Sequence, residues 1–373
     1  MTREPLPPGS TIGILGGGQL GRMLAQAAAK LGFRACVLSP EPDSPAFAVS
    51  AAHICAAYDD AEALKRLAGE ADVVTFEFEN VSAQALALLE GAAQVAPPRV
   101  ALEVTQDRLA EKRFLDTLGL PTAPYATVEN ASALAGAAEA LRGSADQDAF
   151  FLKLARQGYD GKGQFKIKSA EDISKAQAWL ANTNAVLEQA VAFEMELSVV
   201  AVRGGDGAML FYDVPQNIHR DGVLRESIVP APIPESVRRE AQSYARRIAG
   251  ALDYVGVLAV ELFLLRQEGG LRLLVNEIAP RVHNSGHWTL EACAVSQFEN
   301  HIRAVAGWPL GATWRHSDAR MVNLLGKDVE DALTLLREDP ARSLHLYGKH
   351  EARDGRKMGH YVELRPAAVK PRM

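Results

Sequence analysis

At 373 residues, 48% hydrophobic and 23% charged, the chain has ordinary globular composition and length for two or three domains, which excludes a disordered protein. A net charge of −6, with no basic stripe interleaved with aromatics, excludes a general nucleic-acid binder. Cys36, Cys55 and Cys293 lie far apart with no CxxC pair, which excludes a zinc ribbon or disulfide framework and points to a reduced, cytoplasmic setting.

Met1–Pro8 has no apolar core of signal-peptide length, and no stretch approaches about 18 uninterrupted apolar residues, so no membrane contact is expected. Thr11–Leu15 reads as a buried strand leading into Gly16-Gly-Gly-Gln-Leu-Gly21. A helix follows, with Leu20, Met23, Leu24, Ala27 and Leu31 on one face. Glycines let the backbone approach a phosphate, and the helix start offers free N–H groups. A dinucleotide site also wants an acid at the end of the next strand. That strand, Arg34–Leu38, ends in Ser39-Pro40, which weakens a nicotinamide reading. The loop is either a phosphate cradle or a tight turn in a doubly wound sheet.

A helix near Ala61–Leu67 and a strand at Asp72–Phe76 continue the alternation. Glu77 then sits at a carboxyl edge, as a substrate contact or an exposed loop acid. A helix from Thr105 to Leu118 carries Asp107, Arg108, Glu111 and Lys112, which read as a solvated face with i,i+4 pairing. Gly119–Pro124 breaks the pattern. Beyond it come a helix over Ala131–Leu141, a strand Phe150–Leu154 bearing Lys153, and a loop, Ala155–Gln164, with Gly158, Gly161 and Gly163. That loop suits a flap over polyphosphate but does not spell a P-loop. Ser169 opens a helix with Asp172 three residues on. Ala185–Gln189 is a short strand that either reads an adenine edge or closes the small domain.

Strands are expected at Glu194–Arg203, Ala208–Val214 and Val223–Val229, then a helix over Pro234–Gly250. Gly256–Leu265 and Leu271–Pro280 form a hairpin. With a three-residue loop centred on Gly269, Glu261 faces Glu277 on one side of the sheet, Cβ atoms roughly 5 Å apart. Two carboxylates flanked by apolar runs stay ionised beside a hard cation such as Mg²⁺; a slipped register would instead turn one to solvent. Arg281–Leu290 follows, rich in anion-binding donors. Glu291–Ala306 reads as helix and Arg320–Leu325 as strand. In the tail, Ser343–Tyr347 and Met358–Leu364 alternate around a basic loop, Gly348–Lys357, which is either a phosphate contact or a charged hairpin tip.

Together Gly16–Met23, Gly158–Gln164, Asn217-Ile-His219 and Asn276–Trp288 closely resemble the N5-carboxyaminoimidazole ribonucleotide synthetase family of the ATP-grasp superfamily, from Gly13 to about Pro366. The resemblance implies an α/β and α+β ATP-grasp fold: an N-terminal Rossmann-like domain (1–118), a small central lid domain (119–192), and a C-terminal antiparallel-sheet domain with a small tail subdomain (193–373). It implies a cytoplasmic homodimer that joins ATP, bicarbonate and 5-aminoimidazole ribonucleotide, through carboxyphosphate, in purine biosynthesis. By the same resemblance Arg108 and Lys153 touch ATP phosphates under the flap Gly158, Tyr159, Asp160, Gly161, Lys162, Gly163 and Gln164. Glu188, Gln189, Ala190 and Val191 line the adenine, Glu196 the ribose, and His219 and Asn276 complete the pocket. Glu261 and Glu277 hold Mg²⁺, as the hairpin register suggests. Arg281, His283 and Asn284 position bicarbonate. Gly18, Gln19 and Leu20 with Lys349 and Arg356 hold the ribonucleotide phosphate, and Glu77, Tyr159 and Asp160 its sugar and base. The alternative is an ATP-grasp ligase or transformylase acting on another phosphorylated acceptor.

Overall fold

Three sheets follow one another along the chain in the computed structural model, which describes residues 4–142, 149–156, 163–180 and 183–367. The first is parallel, built from β1 (Thr11–Leu15), β2 (Arg34–Ser39), β3 (Ala52–Cys55) and β4 (Val73–Phe76) in the order β3-β2-β1-β4. Its apolar runs are buried, as a parallel sheet with helices on both faces requires. Because β1 lies between β2 and β4, their carboxyl ends open a crevice at the point where the strand order reverses. Gly16 and Glu77 stand at those ends.

The second sheet is antiparallel: β5 (Tyr125–Val128), β6 (Phe150–Leu154), β7 (Gln164–Ile167) and β8 (Ala185–Gln189), in the order β5-β8-β6-β7. Helices Leu134–Arg142 and Ala170–Leu180 supply Leu134, Ala138, Ala176 and Leu180 to a core with Val128, Phe150, Leu152 and Leu187.

The third sheet holds the remaining strands among the described residues. They are β9 (Met195–Arg203), β10 (Met209–Phe211), β11 (Gln216–Arg220), β12 (Val223–Val229), β13 (Gly256–Gln267), β14 (Gly270–Ala279), β15 (Ser317–Leu325), β16 (Ser343–Leu346) and β17 (Lys357–Pro366). Their order is β14-β13-β9-β11-β12-β15-β17-β16, with β10 beside β9. Strand alternation divides β9 between two cores. Leu197, Val199 and Ala201 pack with helix Glu235–Ala251, while Val200 and Val202 pack with helices Gln297–Val305 and Gln19–Lys30. The last of these cores joins the first sheet to the third.

Several expectations change here. The hairpin loop is two residues, Glu268 and Gly269, because Gln267 pairs with Gly270. That alone would slip the register by one, but a bulge beside Glu261 restores it, so Glu261 does face Glu277 and Asn276 is the extra residue. Where one helix was expected over Thr105–Leu118, two meet: Arg99–Thr105 ends at the expected start, and Arg108–Thr117 is the expected helix begun three residues later, because the Asp107 side chain caps it by accepting from Leu109 and Ala110 N–H. Its supposedly solvated face is buried: Glu111 is 2% and Lys112 1% exposed. Helix Glu291–Ala306 is likewise two, Thr289–Ala292 and Gln297–Val305, divided where Cys293 bridges to Arg315 and Ser296 caps the second. Strands β3, β5, β7 and β11 were not anticipated. No helix among the described residues is long and apolar enough to cross a membrane.

His301 ties the first sheet to the third. Its Nδ1 accepts from Val257 N–H at 3.1 Å, so Nε2–H donates to Thr75 Oγ1 at 2.8 Å. Burial holds this imidazole down at about 3. A depressed folded value means stability present above about 6.5 and lost as pH falls toward 3, by up to about 1.4 kcal/mol per pH unit. Denaturant titrations from pH 6.5 to 4.5 are expected to show this loss, and His301→Gln to be less stable at pH 7 but with a slope shallower by about one proton. An unchanged slope would remove His301 from the acid response.

Candidate active site

Glu77 explains the first glycine loop. Its side chain is 7% exposed, not a solvated loop acid, and it folds into the loop. Oε1 accepts from Gly18 N–H at 2.6 Å and Oε2 from Gly21 N–H at 2.9 Å. The N–H groups expected to be free for phosphate are therefore partly engaged by this carboxylate, leaving those of Gln19 and Leu20 at the head of the helix. The glycines are needed for this fit, since a Cβ on Gly18 would lie 2.6 Å from Glu77 Oε1. Burial raises the Glu77 carboxyl above its usual range, opposed by the two N–H bonds and the charges of Arg281 and Lys349. Arg22, the nearest basic side chain in sequence, turns instead to the Pro45 carbonyl at 3.0 Å.

Lys349, 272 positions beyond Glu77 in the chain, is an electrostatic neighbour of Glu77 and Glu41.

 Burial, with the charges of Arg356 and Lys357, draws its ammonium down to about 8. Its Nζ donates to the Lys357 carbonyl at 2.8 Å and stands 5.8 Å over the Tyr347 ring. Arg356 donates to the Glu351 carbonyl at 3.0 Å, which ties the basic loop to itself.

A second cluster gathers where the second sheet meets the hairpin. Glu188, on β8, is shared by two lysines: Lys153 Nζ at 2.8 Å and Lys112 Nζ at 3.3 Å. Burial opposes its ionisation, but the charges of Lys153 and Lys112 prevail and hold the carboxyl at about 2. Lys112 also reaches the carbonyl of the bulge residue Asn276, at 3.4 Å. Arg108 pairs with Glu277 at 3.3 Å. Glu111 accepts from Ile278 N–H at 2.6 Å, and burial, with the charge of Glu277, pushes it up to about 8. Lys112 and Glu111 were thus missed as parts of a site. Their pattern matches that of any exposed helix, and only the packing against the hairpin separates the two cases.

The second sheet joins the third through residues 190–194. Ala190 N–H donates to the Ala149 carbonyl at 2.8 Å, and the Val191 carbonyl accepts from Phe193 N–H at 3.1 Å. Gln189 Nε2 is buried without a partner among the described residues, a donor free for a ligand acceptor. Phe193 is 45% exposed and stacks on Phe263 at 4.8 Å. Glu196 and His219 meet at 2.7 Å. Gly163 and Gln164 lead into β7, with Gln164 opposite Lys153. Gly158, Tyr159, Asp160, Gly161 and Lys162 lie outside the described residues.

Glu261 and Glu277 face each other across the bulge. His283 Nε2 stands 3.2 Å from Glu261. Burial opposes the Glu261 charge, but the His283 hydrogen bond and nearby cations hold the carboxyl at about 2. Two carboxylates on one face suit Mg²⁺, which needs only one or two from the protein beside substrate phosphates. Among the described residues no cluster of three or more metal-ligating side chains occurs, so a closed protein cage is not formed. Arg281 is gripped by Glu79, with NH2 at 2.9 Å from Oε1 and Nε on Oε2, while NH1 donates to the Val282 carbonyl at 3.2 Å. Glu79 carries no role in the sequence reading, because its partner lies 202 positions away. The Asn284 and Asn323 amides bond reciprocally, at 3.0 and 2.8 Å, so the Asn284 side chain is engaged within the protein.

Comparison with known proteins places this geometry. Residues 10–106 match the ribonucleotide synthetase preATP-grasp domain, 113–298 the ATP-grasp domain, and 319–366 the phosphoribosylaminoimidazole carboxylase C-terminal domain. An N5-carboxyaminoimidazole ribonucleotide synthase of Brucella melitensis is 49% identical over 371 residues, spanning 99% of this chain and 100% of its own. The ADP complex of an N5-carboxyaminoimidazole ribonucleotide synthetase superposes with a TM-score of 0.91 at 42% identity, covering 97% of this chain and 94% of that one. An Aspergillus clavatus N5-carboxyaminoimidazole synthase in complex with ADP and 5-aminoimidazole ribonucleotide has a TM-score of 0.88 at 33% identity, covering 96% and 94%.

The interlock of Glu77 with the loop can be broken from either side. A Cβ on Gly16 would lie 2.1 Å from Glu77 Cγ, at a φ of +114°. Gly16→Ala is expected to destabilise the fold by about 1–3 kcal/mol from the backbone alone, with the clash added. Gly16→Ala/Glu77→Ala should recover the steric part and leave the backbone part. Urea melts of the three variants check this, and a double variant no better than Gly16→Ala would show that Glu77 is not the obstacle.

Proposed function

The chain belongs to the N5-carboxyaminoimidazole ribonucleotide synthase family of ATP-grasp enzymes, and from that premise we infer that it is the ATP-dependent ligase that carboxylates 5-aminoimidazole ribonucleotide in purine biosynthesis. ATP is its nucleotide, as the ATP-grasp match and the ADP complex of a relative support. Bicarbonate is the proposed source of the carboxyl group and carboxyphosphate the proposed intermediate. The domain division proposed with it is 1–118, 119–192 and 193–373, and a homodimer in the cytoplasm follows the family. Three cysteines without a disulfide suit a reduced compartment.

The observation that carries the site reading is the Lys153–Glu188–Lys112 triplet beside the paired Glu261 and Glu277. One carboxylate between two ammoniums leaves positive charge in a buried place, and polyphosphate is its natural complement. Arg108, Lys153 and Lys112 would face the ATP phosphates, with the segment containing Gly158–Gln164 above them. Glu188, Gln189, Ala190 and Val191 would border the adenine, Glu196 and His219 the ribose, and Asn276 the same pocket. Glu261 and Glu277 would hold Mg²⁺, which would offset the negative charge gathered between ATP and bicarbonate. Arg281, with three N–H groups engaged of the five it carries, retains donors for bicarbonate beside His283. Asn284 would act there through its backbone. Carboxyphosphate is short-lived in water, so closure of the central sheet over the third would protect it.

For the ribonucleotide, Gln19 and Leu20 N–H at the helix start, with Lys349 and Arg356, would hold the 5′-phosphate. Gly18 keeps the loop close, and Glu77 borders the sugar with Tyr159 and Asp160. Two measurements test these assignments. Glu277→Gln should keep the fold and lower ADP release at least ~10²-fold, the usual scale for lost electrostatic stabilisation; near wild-type turnover at saturating Mg²⁺ would take the pair out of the mechanism. Arg356→Ala should raise the KM for 5-aminoimidazole ribonucleotide about tenfold or more, since a charge-assisted phosphate contact is worth about 1.5–3 kcal/mol, and leave the KM for ATP near its original value. An equal loss for ATP would move the loop to the nucleotide. The reaction itself is tested by ADP release with and without the ribonucleotide and bicarbonate, where release independent of both would reject it.

A further inference from the structure

A one-way chain of hydrogen bonds runs through the interior of the third sheet and ends at Glu261. Ser227 Oγ donates to Asn217 Oδ1 at 2.8 Å, and Asn217 Nδ2 donates to Ser198 Oγ at 3.0 Å. Ser198 and Ser285 hydroxyls lie 2.7 Å apart, and Ser285 Oγ is 2.8 Å from His283 Nδ1. His283 Nε2 then faces Glu261 at 3.2 Å. The four links before His283 are fully or almost fully buried, so water does not substitute for any of them.

The far end sets the direction. The Ser285 backbone N–H points at Nδ1 at 3.4 Å, and a backbone N–H only donates, so Nδ1 is an acceptor and the ring proton sits on Nε2, opposite the Glu261 carboxylate. Ser285 must therefore donate to Nδ1 and accept from Ser198, which accepts from Asn217. Reversing every donor would place a bare Nε2 lone pair against Glu261. Gln297 fixes the backbone of the same residue: Oε1 accepts from His283 N–H at 2.9 Å and Nε2 donates to the His283 carbonyl at 2.7 Å. That orientation is forced, because an N–H requires the amide oxygen and a carbonyl requires the nitrogen.

We propose that Asn217, through Ser198 and Ser285, is a positioning residue that commits His283 to its Nε2–H tautomer, while Gln297 holds its backbone, so that a single defined donor faces Glu261 and the bicarbonate position. The inference rests on the reading of His283 as a bicarbonate contact. None of these partners touches the substrate; they act through His283, as outer partners of metal-site histidines do.

Asn217→Asp is the sharpest test. It is nearly isosteric, yet its carboxylate only accepts, so Ser198 must turn its hydrogen toward residue 217 and the chain reverses. Histidine-selective nitrogen NMR of the full-length protein reads the tautomer directly, with the His283 signal among the nine histidines identified by its loss in His283→Gln. The expected result is an Nε2–H tautomer with an unprotonated Nδ1 in the original protein and a protonated Nδ1 in Asn217→Asp, with kcat lower by about tenfold or more and the KM for ATP within about twofold. Ser198→Ala, which interrupts the chain without adding charge, should also lower kcat with little change in the KM for ATP. An Nδ1–H tautomer in the original protein overturns the proposal, and so does unchanged kcat in folded Asn217→Asp and Ser198→Ala. If His283→Gln itself turns over at the original rate, the bicarbonate reading of His283 fails, while the tautomer measurement still decides the chain.

Discussion

Two lysines share one buried carboxylate where the second sheet meets the third, and the arrangement of the site depends on it. Lys112 comes from the helix after the first sheet, Lys153 and Glu188 from the second sheet, and Lys112 continues to the bulge carbonyl of Asn276 on the hairpin. A buried ammonium without a partner is costly, and a buried carboxylate equally so, so these elements have a common position in which each charge is answered. The balance is uneven. Glu188 is held ionised between two cations, whereas Glu111 alongside is pushed toward its neutral form, so the cluster keeps a positive excess. Fixed positive charge of this kind is electrostatically complementary to an anion.

The hairpin edge is completed by the same helix. Strand β14 is the last of its sheet, and an open edge leaves backbone N–H groups unpaired. Here Glu111 accepts from Ile278 N–H, and Pro121 accepts from Val275 N–H at 2.7 Å. Between those two points lies the bulge that turns Asn276 and Glu277 toward Glu261. The irregularity that would weaken an ordinary edge is thus held by side-chain and loop contacts on both sides, and it delivers the two carboxylates to one face.

In the first sheet, a carboxylate sits where the sequence pattern leads one to expect phosphate. Glu77 bonds Gly18 and Gly21 N–H at the helix start, satisfying the same donors and the same dipole. The glycine pattern reports that an anion fits against this turn and is silent on whether that anion is a ligand or a side chain 56 residues away. Lys349 decides the matter of charge, because it brings a cation from the tail to a loop whose own Arg22 points elsewhere. Neither feature is visible locally.

The sequence by itself determined what depends on near neighbours. The strand–glycine loop–helix unit at Thr11–Lys30 follows from apolar spacing and backbone freedom, and the two long strands around Gly269 from alternation and a turn. Even the facing of Glu261 and Glu277 was legible, although through a three-residue loop that is in fact two residues and a compensating bulge. Tertiary structure decided what depends on distant partners. Glu111 and Lys112 have the spacing of a solvated helix face, and only the hairpin packed over them makes them interior. Arg281 has the pattern of a free anion donor, and only Glu79, 202 positions away, occupies its fork. The physical reason is the same in each case. Helical and strand periodicity are set by backbone geometry over a few residues, whereas burial and charge pairing are set by whichever part of the chain folds against them.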